Sequence, residues 1–298
     1  MNPQIPLDPA SDAALPDFAQ HEDPTTEVSS DIAYKRLAIV NVAFIGHPEA
    51  ADRNWVLVDA GVMGTGQMIL RAAAQRFGPE SRPAAIVLTH GHFDHVGALE
   101  MLAERWEVPI YAHELEVPYL NGTAAYPPPD PTVGGGMMAL LSPLYPRGPI
   151  DVSRWLQTLP GDGSIPVLPG WTWVHAPGHT PGQVALWREA DRVLISADAF
   201  ITTRQESAYA VAAQTPEMHG PPAYYTQDWA AARVSVEALS ALEPEIVVPG
   251  HGRAMEGEAM RSALRTLAAN FDEIAVPEHG RYVADPARAG TSEAYRQP

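Results

Sequence analysis

The stretch Leu88–Gly97 reads LTHGHFDHVG and concentrates metal-binding side chains in one short segment. It places three of the chain's eleven His residues, together with Asp94, within six consecutive positions. The apolar run PAAIVL precedes it and the helical pattern ALEMLAERW follows it, so the segment is predicted to be a turn between a buried strand and a helix. A polar turn in which Asp94 caps the helix is the structural alternative, but it explains only the aspartate and not three imidazoles.

The spacing within this segment favours two metal positions rather than one. His90 and His92 alternate, so both side chains leave the same side of an extended strand end. Asp94 and His95 lie in the following turn and can face the opposite direction. Because the chain contains no Cys, any metal must be held by imidazole and carboxylate groups.

Three further segments place a His or an Asp at the end of a strand-like run. VHAPGHTPGQ contains His179, LISADAF contains Asp198, and EIVVPGHG contains His251. The ends of several strands can converge at one edge of a sheet, so we expect these residues to meet the early cluster.

The composition excludes several classes of partner. Asp and Glu outnumber Lys and Arg by 36 to 19, and the net charge of −17 repels nucleic-acid phosphates and anionic lipids. No apolar segment is long enough to span a bilayer, and the N-terminus lacks the basic start and apolar run of a signal peptide. The prediction is a cytoplasmic monomer or homodimer that binds a small-molecule substrate and neither nucleic acid nor membrane.

Apolar runs alternate with helical patterns along most of the chain, which indicates two sheets between helices. The predicted parts are an extended N-terminal arm at 1–28, a single domain at 29–276 with a lid-like insertion at about 121–163, and an irregular tail at 277–298. Within the domain, the pattern predicts one strand at 37–45 and single helices at 95–106 and 257–275.

The ordered segments HGHFDH, APGHTPGQ, SADAF and PGHG resemble the motifs of the metallo-β-lactamase superfamily, over roughly residues 35–272. The resemblance implies an α/β fold, the four-layer αβ/βα sandwich, and two divalent metal ions, with Zn favoured and Mn, Fe or Co compatible. The implied ligands are His90, His92 and His179 at the first metal, Asp94, His95 and His251 at the second, and Asp198 bridging the two. The resemblance also implies that Asp59, in the sequence VDAG, orients a ligand His; capping of the loop before Gly61 is the alternative.

The implied chemistry is hydrolysis. Two cations about 3.5–4 Å apart can share a water and lower its pKa, which gives a metal-bridging hydroxide as nucleophile, with Asp94 as the proton shuttle. True β-lactamases of this fold have Cys or His where this chain has Asp198, which argues against antibiotic hydrolysis. The predicted activity is therefore that of a lactonase-like metal-dependent hydrolase of ester bonds, acting on a lactone or a small carboxylic ester. The alternatives are a glyoxalase II-type thioester hydrolase, a mononuclear iron persulfide dioxygenase and a non-catalytic binding protein.

Side chains outside the motifs are candidates for substrate contact. Three tyrosines that can hydrogen-bond a carbonyl oxygen or a leaving group, or else simply pack, are Tyr209, Tyr224 and Tyr225. Side chains of the insertion that suit an acyl chain or another apolar substituent are Tyr126, Met137, Met138, Leu141 and Tyr145. A dimer contact and a cover for the sheet are the alternative roles of the insertion.

Overall fold

The computed structural model describes residues 5–7 and 25–287 of the 298-residue chain. Its strands are β1 (Ile5–Pro6), β2 (Thr26–Ser29), β3 (Ile32–Leu37), β4 (Val40–Ile45), β5 (Val56–Val58), β6 (Ala85–Val87), β7 (Ile110–Ala112), β8 (Leu156–Thr158), β9 (Trp171–His175), β10 (Val184–Arg188), β11 (Val193–Ala197), β12 (Glu217–Met218), β13 (Ile246–Pro249) and β14 (Met255–Glu256). Its helices are α1 (Gly66–Phe77), α2 (Phe93–Val96), α3 (Leu99–Trp106), α4 (Val117–Leu120), α5 (Met137–Leu141), α6 (Ala208–Ala213), α7 (Trp229–Ala241), α8 (Gly257–Ala269) and α9 (Phe271–Ile274). Within the described residues, no helix has the length and apolar character needed to cross a membrane.

The chain divides into two compact units, both of which take most of their residues from the range predicted as one domain. The N-terminal unit comprises Pro16–Ala125 and Gly148–Trp171, and the C-terminal unit comprises Met1–Leu15, Tyr126–Arg147 and Thr172–Pro298. Most of the predicted arm at 1–28 and the end of the predicted tail at 277–298 lie outside the described residues.

The N-terminal unit contains a seven-stranded mixed sheet in the order β2-β3-β4-β5-β6-β7-β8. Its first four strands pair antiparallel, whereas β5, β6, β7 and β8 run parallel. The parallel strands β5, β6 and β7 are fully buried and consist almost entirely of apolar residues, as expected for strands covered on both faces. Val58 pairs with Val87, so the residues that follow β5 and β6 leave the sheet at the same edge.

An aromatic cluster joins this sheet to the two helices that follow those strands. Trp55, just before β5, stacks on Phe77 of α1 with 4.3 Å between ring centroids. It also meets Trp106 of α3 edge-on at 5.6 Å. Aromatic pairs of this kind contribute about 0.5–1.5 kcal/mol each beyond their buried area. The cluster therefore fixes the helices that follow the strand ends carrying Asp59 and His90.

The C-terminal unit contains a five-stranded sheet in the order β14-β13-β11-β10-β9 and a short pairing of β1 with β12. Strands β11 and β13 run parallel, so the residues after Ala197 and Pro249 leave the sheet at one edge. Strand β10 runs antiparallel to β11, and the loop that enters β10 therefore reaches the same edge. This topology brings three chain segments that are distant in sequence to one place.

Several predicted elements need correction. The predicted strand at 37–45 is interrupted by a turn at Ala38, whose φ of 61° is left-handed, so β3 ends where that strand was expected to begin. The predicted helix at 95–106 is divided into α2 and α3 at Gly97, and the predicted helix at 257–275 is divided into α8 and α9. The sequence pattern also missed β2, which begins inside the predicted arm, and β8, which lies inside the predicted insertion.

Gly97 lies where the chain passes close to the backbone of a neighbouring loop. Its N–H donates to the carbonyl of Gly61 at 2.7 Å, and a Cβ at this position would lie 2.2 Å from the backbone nitrogen of Met63. We expect Gly97→Ala to lower the free energy of unfolding by about 1–3 kcal/mol, the usual effect of overpacking. Urea unfolding followed by circular dichroism measures this change. Gly161→Ala is the control, because Gly161 faces open space; equal stability of the two variants would contradict the expectation.

Candidate metal centre

The early His cluster lies at the end of β6 and in α2, within the N-terminal unit. His90 Nε2 lies 3.1 Å from His92 Nδ1, and the ring centroids of His90 and His95 are 4.1 Å apart. All three imidazoles and Asp94 are buried, with at most 6% of each residue exposed. His92, in an extended conformation, occupies the N-cap of α2, and Asp94 lies in its first turn. The capping alternative for Asp94 is therefore wrong, because a different residue holds that position.

Asp59 connects the end of β5 to this cluster. Its Oδ1 accepts a hydrogen bond from the backbone N–H of Thr89 at 2.8 Å, and its Oδ2 accepts one from the Thr89 hydroxyl at 2.7 Å. The same Oδ2 lies 2.8 Å from His95 Nδ1. A carboxylate can only accept here, so His95 donates through Nδ1 and keeps its lone pair on Nε2. Asp59 has a left-handed φ of 62°, a strained conformation for a non-glycine residue that is typical of functional sites.

Two residues near the cluster were not predicted from the sequence to support it. Glu116 is buried, and its Oε2 accepts a hydrogen bond from the backbone N–H of Gly91 at 2.9 Å. Gly91 is the residue between His90 and His92 in the sequence. Thr89 contributes the two hydrogen bonds to Asp59 and lies 3.1 Å from His90 Nδ1. Nothing in the local sequence pattern marks either residue, because both contacts depend on the fold.

The C-terminal unit gathers the other three predicted ligands. Asp198 directly follows β11, His251 follows β13, and His179 lies in the loop that enters β10. Asp198 Oδ2 lies 3.3 Å from His179 Nε2 and 3.1 Å from His251 Nε2. At most 2% of each residue is exposed. Ala197, just before Asp198, also has a left-handed φ, 50°. One carboxylate oxygen therefore stands within contact distance of two imidazoles.

Thr226 supports His179 and was also not predicted from the sequence. Its Oγ1 lies 3.4 Å from His179 Nδ1 and donates its own proton to the carbonyl of Pro222 at 2.8 Å. With that proton committed, the hydroxyl can only accept from the imidazole, so Nδ1 of His179 is the donor. The Nε2 atom, which faces Asp198, then carries the lone pair.

The three candidate tyrosines lie in different environments of the C-terminal unit. Tyr224 and Tyr225 are buried in a 3-10 turn, with 5.2 Å between their ring centroids. Tyr209 lies on α6 and is 79% exposed. Their roles in catalysis stay predictions.

The predicted insertion contains the short helix α5, followed by a 3-10 turn. Tyr126 is buried, whereas Met137 and Leu141 are exposed. Met138 and Tyr145 are half-buried, and the Tyr145 hydroxyl lies 3.6 Å from the Met138 sulfur. The helix thus presents most of its apolar side chains outward, and their contact with a substrate stays a prediction.

Asp130 links the insertion to the C-terminal end of the described chain. Its Oδ1 accepts from the backbone N–H and the hydroxyl of Thr132, at 3.0 and 2.6 Å, and its Oδ2 accepts from the backbone N–H of Arg281. The Tyr282 hydroxyl donates to the carbonyl of Pro128 at 2.6 Å. Burial raises the pKa of Asp130, but these hydrogen bonds outweigh it, so its pKa lies below the ordinary value.

We expect this link to weaken when the pH falls below about 4. The pKa of Asp130 is lower in the folded chain than in the unfolded chain. Its contribution to the free energy of unfolding is therefore complete at a pH above its pKa in the unfolded chain, and is lost as the pH falls through its pKa in the folded chain. Hydrogen exchange, corrected for intrinsic rates, should show the amide of Arg281 losing protection in acid, and Asp130→Asn should lack that protection even at pH 7. Asp162→Asn, at an exposed carboxyl whose pKa is also lowered, is the control. Full protection of Arg281 in Asp130→Asn would contradict the expectation.

The chemistry of the donor atoms fits a divalent metal ion. Imidazole nitrogen and carboxylate oxygen are the ligands that zinc and related ions accept when thiolates are absent. His95 and His179 each commit Nδ1 to an oxygen acceptor and keep Nε2 as a ligand atom, the usual arrangement of metal-binding His. The described residues thus include buried His and Asp side chains that could hold a metal ion.

Comparison with known proteins gives matches over most of the chain. A sequence model of the metallo-beta-lactamase superfamily matches residues 36–251. The Bacillus subtilis (strain 168) protein named "Probable metallo-hydrolase YflN" is 44% identical over 226 residues, which cover 76% of this chain and 85% of that protein. Another protein of the same organism, "Probable metallo-hydrolase YybB", is 33% identical over 150 residues, covering 50% of this chain and 59% of that protein.

Solved structures agree at the level of the fold. The Rm3 metallo-beta-lactamase superposes with a TM-score of 0.58 at 18% identity, over 85% of this chain and 94% of that one. A B3 metallo-beta-lactamase with an active-site glutamic acid superposes with a TM-score of 0.56 at 20% identity, over 84% of this chain and 90% of that one. These likenesses confirm the predicted αβ/βα fold class and say nothing of substrate. On the family match, the chain belongs to the metallo-β-lactamase superfamily and contains a histidine-rich potential metal site.

Proposed function

We propose that this protein is a dinuclear metal-dependent hydrolase that cleaves an ester-type bond, in a lactone or a small carboxylic ester. Membership of the superfamily and two relatives named probable metallo-hydrolases support a hydrolase. The intact set of His and Asp side chains supports metal dependence. The choice of an ester-type bond rests on Asp198, at whose place true β-lactamases of this fold have Cys or His.

The proposed metal ligands are the buried His and Asp side chains described above in each of the two units. The proposed ligands are His90, His92 and His179 for one cation, Asp94, His95 and His251 for the other, and Asp198 for both. The observation that carries this proposal is the position of Asp198 Oδ2, 3.3 Å from His179 and 3.1 Å from His251. A carboxylate that contacts an imidazole from each proposed set is the geometry expected of a bridging ligand.

The roles of the chain's own residues follow from this arrangement. When bound, the two cations supply a nucleophilic water at neutral pH and stabilise negative charge on the substrate carbonyl oxygen. The Asp94 carboxylate accepts a proton from the attacking water and passes it to the leaving oxygen. Asp59 and Thr226 hold His95 and His179 by their Nδ1 atoms, which would leave both Nε2 atoms free to bind a metal.

The test is an assay of the purified protein loaded with zinc or with manganese. Acyl lactones and aryl esters are expected to turn over, with two metal ions per chain by elemental analysis. Absence of turnover of every ester and lactone with both metals bound would overturn the proposal. Faster turnover of acyl thioesters would favour the glyoxalase II type of activity. One iron per chain with oxygen uptake on glutathione persulfide would favour the dioxygenase.

The contact between Asp59 and His95 gives a specific prediction. We expect Asp59→Ala to weaken zinc binding about 10–100-fold, because the imidazole loses the partner that fixes its tautomer and orientation. Competition with a fluorescent zinc chelator measures the affinity. Asp52→Ala removes an exposed carboxylate of the same unit that pairs with Arg82 and should leave the affinity unchanged. Wild-type zinc affinity in Asp59→Ala would show that this carboxylate does not position a ligand.

A further inference from the structure

A cavity of about 190 Å³ lies within the C-terminal unit and includes none of the seven proposed metal ligands. Its volume corresponds to about six water molecules. It is lined by the glycine turn Thr132–Gly135, by Arg204, Glu206, His219 and Ala223, and by Ala275, Pro277, Glu278 and His279. Neither the proposed hydrolysis nor its metal ligands give this cavity a role.

Glu206 is the most deeply buried charged group of the cavity. The residue is 1% exposed, and its Oε1 accepts the backbone N–H of Ala223 at 2.8 Å. Its Oε2 has no hydrogen-bond partner among the described residues and lies 3.4 Å from His219 Nε2. Leaving a buried carboxylate oxygen without a donor is costly, about 1–3 kcal/mol or more for a charged group. This oxygen is therefore suited to a ligand that donates a hydrogen bond.

His219 adds a second acceptor. Its Nδ1 lies 3.0 Å from the carbonyl of Gly220, and a carbonyl can only accept, so Nδ1 carries the proton. In the tautomer protonated at Nδ1 alone, the Nε2 lone pair lies beside the carboxylate oxygen of Glu206. Two acceptors 3.4 Å apart can both be reached by one cation with several N–H donors that lies beside the pair. The described residues form no three-ligand group around these two side chains, which disfavours a metal ion.

The charge and shape of the surroundings agree with a small cation. Glu278 also lines the cavity, so two carboxylates face the guanidinium of Arg204, which donates to the carbonyl of Gly134 at 3.1 Å. Gly134 has a left-handed φ of 74°, and a Cβ there would lie 2.2 Å from Glu206 Cγ. A Cβ at Gly136 would lie 1.9 Å from the Glu206 carbonyl oxygen. Two of the three consecutive glycines in the insertion, Gly134 and Gly136, are thus required for close packing on Glu206.

We propose that this cavity binds a small organic cation with a primary ammonium group, whose N–H donors bond Glu206 Oε2 and His219 Nε2. The proposal goes beyond the proposed hydrolysis and does not depend on it. An ammonium group has three N–H donors and no acceptor, which matches two unshared acceptor atoms. The ligand is a compact amine, because the cavity has little room beyond a few carbon atoms.

The test is calorimetric titration of the full chain with propylammonium chloride, with 1-propanol and sodium propionate as neutral and anionic analogues. We expect saturable binding of propylammonium only, and at least tenfold weaker binding in Glu206→Gln, whose amide oxygen can still accept from Ala223. Glu237→Gln, on the exposed face of α7, is the matched control and should bind as the wild type does. His219→Gln is the second variant and should also weaken the binding of propylammonium. It tests the proposal even if Glu206→Gln fails to fold.

Three results would overturn the proposal. The first is no saturable binding of propylammonium to the wild type. The second is equal binding to the wild type and to folded Glu206→Gln or His219→Gln. The third is the binding of an additional zinc ion, beyond two per chain, that is lost in Glu206→Gln. That result would make the cavity a metal site.

Discussion

Replacing Asp198 by Ala is expected to lower kcat/KM for ester hydrolysis by about 10³-fold and to reduce bound metal below two ions per chain. The magnitude follows from losing the proposed two-metal clamp, which would contribute several kcal/mol, at about 1.4 kcal/mol for each factor of ten. Asp198 Oδ2 lies within 3.3 Å of the Nε2 atoms of both His179 and His251, so removing it disturbs both proposed metal positions. Elemental analysis and steady-state kinetics with an aryl ester measure the two effects.

Asp191→Ala is the matched control for this variant. Asp191 lies at the opposite end of β11, where it is exposed and pairs with Arg188 at 2.6 Å. Exposed pairs of this kind contribute only about 0–1 kcal/mol, so activity and metal content should stay at wild-type levels. Full metal content together with full activity in Asp198→Ala would contradict the proposed bridging role.

Asp94→Asn is expected to lower kcat by about 10²–10⁴-fold, the range typical of a lost general base, while most of the metal stays bound. The substitution conserves the size of the side chain and one ligand oxygen, but the amide cannot accept the proton. Because Asp94 lies in a buried turn of only four helical residues, the isosteric change should leave the fold intact. Kinetics, metal analysis and the pH profile of kcat together test this role: the acidic limb of the profile should disappear in the variant.

Glu100→Gln is the control for Asp94→Asn, because Glu100 is an exposed carboxylate in the first turn of the next helix, α3. Its kinetics should match those of the wild type. Loss of activity in Asp94→Asn in proportion to loss of metal would assign Asp94 to metal binding alone, and unchanged kcat would exclude it from catalysis.

The fold could be predicted where short-range pattern and tertiary structure agree. The segment GQMILRAAAQRFG at 66–78 has the amphipathic pattern of a helix closed by glycine, and α1 spans Gly66–Phe77, where Gly78 ends it by donating to the carbonyl of Ala74. Strand β8 was missed because it has three residues, two of them exposed, and is specified by pairing with the distant β7. The break at Gly97 was missed for a similar reason, since the contact with Gly61 and Met63 that requires it is not visible in the local sequence.

The candidate metal ligands were predictable because chemistry marks them in the sequence. An imidazole or a carboxylate directly after an apolar strand is unusual enough to be noticed, and all seven predicted ligands are buried in the structure. Their supporting residues were not predictable. Thr89 acts on Asp59 across 30 positions, Glu116 on Gly91 across 25, and Thr226 on His179 across 47. Threonine and glutamate are common residues, and only the folded chain selects the ones that matter.

The short turn between β6 and α3 has a consequence for the order in which the protein assembles. Four of the proposed ligands lie within six consecutive residues of that turn, so bringing them together closes only a very short loop of chain. Loop closure of this length has a small entropic penalty, whereas the proposed ligands of the C-terminal unit follow only many tens of residues later in the sequence. During synthesis, the nascent chain would therefore contain an incomplete metal-binding site, made of these four ligands, long before the last strand leaves the ribosome. A metal ion bound there would stabilise the later, more folded states of the chain.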